Sequence, residues 1–148
     1  MSDINRNDAV RNALASKVAH AMLAREGTGP AWGIEILDAR EGYSRIAMRV
    51  RAGMLNGHGM AHGGMIFSLA DTAFAYACNS RNDASVAQSA TIVFLSPVKA
   101  GERLIAEARE QALVGRSGVY AVSVCGADGR AVAEFMGHSR TIGGAILP

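Results

Sequence analysis

The chain is 148 residues long and 49% apolar, with 15 basic against 13 acidic residues and a formal net charge of +2. Such a length and balance suit one domain, residues 1–148, with a real core, and exclude a disordered chain. The charge is small, the basic residues form no run, and no apolar stretch reaches about 18 residues, so neither nucleic acid nor a membrane is an expected partner.

In chain order, the opening MSDINRNDAVRN is polar and lacks the apolar core of a signal peptide, so a cytoplasmic location is expected. An amphipathic helix is predicted over about residues 8–26. Its stripe is Val10, Leu14, Val18, Met22 and Leu23; Asp8 is the expected N-cap and Gly27-Thr28-Gly29-Pro30 the stop. Ile34–Ala39 reads as a short strand. Glu41-Gly42 turns the chain, and YSRIAMRVR alternates and pairs back as a hairpin.

AGMLNGHGMAHGG is glycine-rich and without period, a loop leading into the next run. That run, HGGMIFSLADTAFAYACNS from His62 to Ser80, reads as a long helix with apolar residues on every side. Strands follow within Ser85–Val98, ending at Pro97, then at Arg103–Leu113, Gly118–Cys125 and Arg130–Ile142, with Asp128-Gly129 as a tight turn. Short connections favour an antiparallel sheet. A helix apolar all round must be covered all round. The predicted class is therefore α+β, a curved antiparallel sheet wrapped around a long central helix, with one face available to a partner subunit. Cys78 and Cys125 lie in apolar segments, make no CxxC pair and are expected as buried free thiols.

Asp71 sits in the middle of the apolar helix. An ionised carboxylate there is costly unless it is paired or used. The bland reading is a boundary aspartate satisfied by a hydroxyl or amide. The functional reading starts from the helix N-terminus, where free N–H groups and a partial positive charge suit a developing oxyanion, and Gly63 permits close approach. Asp71 follows Gly63 by eight residues, roughly 10–12 Å along a helix. One helix cannot aim both groups at one atom, whereas two antiparallel copies can, so a shared reaction requires a two-fold dimer. Asn56 offers an uncharged donor, or simply an Asn-Gly turn.

The stretch LNGHGMAHGGMIFSLADTAFAYACNS closely resembles the hotdog-fold acyl-coenzyme A thioesterases of the phenylacetic acid degradation (PaaI) type. TIVFLSPVKAGERLIAEA, GRSGVYAVSV and SRTIGG carry the likeness on, from about Trp32 to Gly144. The resemblance implies a hotdog fold and hydrolysis of an acyl-coenzyme A thioester, with phenylacetyl and ring-hydroxylated phenylacetyl groups as substrates. It implies Asp71 as the catalytic carboxylate, the Gly63 N–H as the group polarising the thioester carbonyl, and Asn56 as its assistant. It places a water-orienting hydroxyl loosely at Ser89. It also implies dimers that share each site and pair further into homotetramers.

His62 either contacts substrate or serves as a structural hydrogen-bonding residue beside the helix start. His58 and His62 have i, i+4 spacing, but no third ligand completes a set, so no metal is expected. No cofactor is expected beyond the coenzyme A of the substrate itself. Arg116, Ser117 and Arg140 are candidates for the coenzyme A phosphates, or solvated turn residues. Met65, Phe67 and Phe74 are candidates for the acyl pocket, or ordinary core. Competing functions are an acyl-thioester dehydratase or hydratase using His62 with Asp71, a non-catalytic acyl-coenzyme A-binding module, and a dimeric scaffold pinned by Asp71.

Overall fold

The computed structural model describes residues 3–148. Its elements are α1 (Asp3–Arg25), α2 (Thr28–Trp32), β1 (Glu35–Arg40), β2 (Tyr43–Arg49), α3 (Gly63–Cys78), β3 (Ser85–Phe94), β4 (Arg103–Val114), β5 (Ser117–Gly126) and β6 (Ala131–Thr141). A single 3-10 turn, Ala52–Met54, precedes α3. The six strands form one antiparallel sheet in the spatial order β1-β2-β4-β5-β6-β3. α3 packs across one face of this sheet, so the hotdog architecture is present.

Period-two alternation explains the wrapping. Leu104, Ala106 and Ala108 of β4 and Tyr120, Val122 and Val124 of β5 are buried, while the residues between them are partly exposed. α3 meets this face with Leu69, Ala70, Ala73, Phe74 and Ala77. Its alanines let the helix axis approach the sheet. Gly137 serves the same purpose, because a Cβ there would lie 2.9 Å from the Phe74 ring. Phe74 packs against Tyr120 and Phe135 at centroid distances of 5.4 and 5.9 Å. Burying such a ring is worth about 1.5–3 kcal/mol. Phe74 is 1% exposed and is core, which removes it from the acyl-pocket candidates.

Two polar contacts fix the helix. The Ser44 hydroxyl donates to the Ala73 carbonyl at 2.6 Å. Asn79, beyond the C-terminus of α3, donates to Ala75 and Ser85 carbonyls and accepts the Ser85 N–H at 2.8 Å, tying the helix end to the start of β3.

Several local expectations are corrected. α1 begins at Asp3, so Asp8 lies inside the helix, paired with Arg11 and not capping it. Val10 is 68% exposed; the buried stripe begins at Ala15 and continues through Val18 and Ala19, because the first turns run beyond the surface they would pack on. The Gly27–Pro30 cluster does end α1, but Thr28–Trp32 forms another helical turn. Pro30 is tolerated because the first N–H groups of a helix need no partner. Gly33, at φ 67°, closes that turn. β3 stops at Phe94, since the Leu95 and Ser96 N–H groups both turn to the Val132 carbonyl. Cys125 is only partly buried; Cys78 is buried, as expected.

Candidate active site

The start of α3 is built to leave one amide free. His62 is the N-cap in extended conformation, and its Nδ1 accepts the Gly64 N–H at 2.9 Å. The His62 carbonyl takes the Met65 and Ile66 N–H groups. Of the first four helical amides, only that of Gly63 has no acceptor among the described residues. A Cβ on Gly63 would come 3.0 Å from the Phe94 ring, so glycine lets this ring lie over the helix start.

Asn56 presents a second free donor by similar logic. Its Oδ1 accepts the His58 and Met60 N–H groups at 2.9 and 3.2 Å. Those bonds identify the oxygen and leave the Nδ2 hydrogens without a partner among the described residues. Asn56, Gly63, Ile66 and Phe94 line one open cavity of about 470 Å³.

Asp71 lies farther along α3 and is half-buried. Burial pushes its carboxyl above the ordinary aspartate value of 3.8, and no hydrogen bond or cation among the described residues offsets this. Within one chain the carboxyl has no hydroxyl or amide partner among the described residues, so a boundary role for it needs a partner on another subunit. Asp71 lines a different cavity, of about 280 Å³, with Glu26, Trp32, Phe67 and Thr72. The nearby Cys78 thiol is pushed up to about 12 by burial and by the Asp71 charge, so it is no nucleophile at neutral pH. Within one protomer Gly63 and Asn56 line one cavity and Asp71 another, in agreement with the spacing of Gly63 and Asp71 along α3.

The chain as a whole has close counterparts among known proteins. Residues 58–133 match the family model described as Thioesterase superfamily. The chain is 47% identical over 128 residues to the acyl-coenzyme A thioesterase PaaI of Escherichia coli K12, covering 86% of this chain and 91% of that protein. The chain belongs to the thioesterase superfamily. A solved structure of E. coli PaaI, from the phenylacetic acid degradation operon, superposes with a TM-score of 0.89 and 45% identity over 90% of this chain and 97% of that one. A mutant of the phenylacetic acid degradation protein PaaI of Thermus thermophilus gives a TM-score of 0.76 at 38% identity, over 79% and 100% of the two chains. The protein is thus a thioester hydrolase.

The remaining candidates of this thioesterase divide between the two faces of the sheet. Ser89 is the register partner of His138 and hydrogen-bonds its Nδ1 at 2.7 Å. His138 alternates with the buried Gly137 and Ser139, so Ser89 stands on the face away from α3 and cannot orient water at its own Asp71. Arg116 donates to the Thr141 carbonyl at 2.9 Å, and Ser117 pairs with Arg140, which in turn pairs with Val86. These three residues gather near the start of β3, at the end of the sheet opposite Gly63. His62 is a capping residue, with Nδ1 engaged. Phe67 and Met65 are partly buried beside cavities and stay eligible as pocket walls. Glu26, held by Thr28 and Tyr76, also adjoins the Asp71 cavity, a placement that the break over Gly27–Pro30 hides in the sequence. The only available signal was an acid placed directly after the last turn of α1.

Proposed function

We propose that this thioesterase hydrolyses acyl-coenzyme A, with aryl-acetyl groups such as phenylacetyl and its hydroxylated forms as substrates, at two sites shared across a homodimer. The observation that carries the reading is the division of one protomer's chemistry between two cavities: two uncommitted donors in one, an uncompensated acid in the other. The relatives' names support the acyl-coenzyme A and phenylacetate assignments, and the aromatic walls Phe67 and Trp32 suit an aryl group.

The sheet edge supplies a route to the dimer. β3 pairs only with β6, and its other side is open, with Val86, Val93, Phe94 and Leu95 exposed. A long apolar edge strand is an invitation to pair. An antiparallel β3–β3 join would set the start of one β3 against the end of the other. Arg116 and Arg140 would then approach the partner's Gly63, where coenzyme A phosphates need cations. Exposed Met136 and Val93 on the outer face favour further pairing into a homotetramer.

In the mechanism, the thioester oxygen accepts hydrogen bonds from the Gly63 N–H and Asn56 Nδ2 of one protomer. Asp71 of the twin removes a proton from water as the water oxygen attacks the carbonyl carbon. The tetrahedral intermediate collapses, the C–S bond breaks, and the proton passes from Asp71 to the departing thiolate. Direct attack by Asp71 to form a mixed anhydride, then hydrolysed, uses the same groups. No cofactor enters either route. The dehydratase alternative is disfavoured because its base, His62, has its Nδ1 committed to capping.

Complementation tests the composite site. Asp71→Asn and Asn56→Asp proteins are each expected to be nearly inactive. Unfolded together and refolded, half the dimers are mixed and each holds one intact site, so about a quarter of wild-type activity returns. Failure of the mixture to exceed its components would refute a shared site.

A further inference from the structure

We infer that Glu26 determines acyl specificity by reading the far end of the acyl group; the inference deepens the thioesterase reading above and rests on it. Glu26 follows the last residue of α1 and lines the cavity that holds Asp71. Its Oε2 accepts the Tyr76 hydroxyl and the Thr28 hydroxyl, both at 3.2 Å. Its Oε1 has no donor among the described residues, and no Lys, Arg or His there lies within salt-bridge distance of the carboxyl.

Two neutral donors on one oxygen fix the side chain and leave the other oxygen as an unmet acceptor in a cavity that Trp32 and Phe67 share with Ser68, Asp71 and Thr72. Burial holds the carboxyl's pKa above the ordinary glutamate value, and the Tyr76 and Thr28 hydroxyls offset only part of that rise. Tyr76, which holds Glu26, comes five residues after Asp71 on α3, about 7.5 Å along the axis. Glu26 and Asp71 line the same cavity of about 280 Å³, so an acyl group whose carbonyl lies near Asp71 extends toward Glu26. Phe67 and Trp32 flank the path.

The chemistry selects in two directions. A hydroxyl at the far end of the acyl group donates to Oε1, whereas a bare ring leaves that oxygen to water alone. A terminal carboxylate meets two acids in one cavity and is excluded. The ligand class is thus an acyl thioester bearing a distal hydroxyl, aromatic or aliphatic; ring-hydroxylated and ω-hydroxyalkanoyl substrates distinguish the two sources.

The test compares kcat/KM by thiol release for phenylacetyl-, 3-hydroxyphenylacetyl-, 4-hydroxyphenylacetyl-, 6-hydroxyhexanoyl- and glutaryl-coenzyme A. Wild type is expected to favour a hydroxylated compound over its plain counterpart by about 10-fold or more. Glu26→Ala lowers that ratio toward one, losing more rate on the hydroxylated compound than on the plain one. Glu26→Gln raises relative turnover of glutaryl-coenzyme A. Each ratio is read within one preparation, so partial misfolding cancels. Ratios unchanged in both variants would overturn the role of Glu26 and leave the thioesterase reading intact. Absence of thiol release from every compound by wild type would instead overturn the acyl-coenzyme A reading, and the same preference measured as Kd by calorimetry then decides the role of Glu26.

Discussion

Asp71→Asn is expected to destroy activity and yet stabilise the fold. The carboxyl is half-buried with no partner among the described residues, and burial raises its pKa above 3.8. Raising an acid's folded-state pKa means that ionisation disfavours the folded state. The penalty is absent below the unfolded value and fully present above the folded one. Solvent screening of a half-exposed group keeps this penalty small. The expected result is a Tm above that of wild type at pH 7–8, a gain that vanishes near pH 3, with kcat lower by about 10²–10⁴. Calorimetry at the two pH values and thiol-release kinetics give both numbers. A variant that loses stability at neutral pH, or that retains near wild-type turnover, would refute the argument that this carboxylate is tolerated for chemistry. In wild type, activity should fall on acidification through a pKa above 3.8, because the base must be ionised.

Asn56→Asp keeps an oxygen for the His58 and Met60 amides but exchanges the free donor for an acceptor. Activity should drop about 10²–10³-fold while Tm barely changes, as thermal melts and kinetics will record. Gly63→Ala forces the Phe94 ring from its place 3.0 Å away, so kcat/KM should fall and Phe94→Ala in the same chain should restore part of it; a strictly additive double mutant would refute the clash. His62→Ala removes the cap bond to Gly64 and should cost about 1 kcal/mol in denaturant melts, with His62→Asn recovering most of it.

Much of this protein was legible in one dimension. The alternation in GVYAVSVC and RLIAEA dictates strands because pleated backbone sends successive side chains to opposite faces. The all-round apolar helix from Gly63 dictates a wrapping sheet. If Gly63 and Asp71 serve one reaction, their spacing calls for two copies, since a helix rises by a constant amount per residue. The central motif can be singled out as a candidate site because its residues are local to one another.

What needed the tertiary structure were relations between segments distant in sequence. Ser89 faces away from α3 because a bulge between Ala87 and Ser89 sets its register against His138, and a register change sends a side chain to the opposite face. Phe74 became core because Gly137, far along the chain, leaves room for its ring. The second acid of the Asp71 cavity came into view only when α2 folded Glu26 back toward Tyr76, a contact across 50 residues. Local pattern governs backbone state and burial. Which polar atom remains unmet in a cavity depends on every segment that packs around it, and that is settled only in three dimensions.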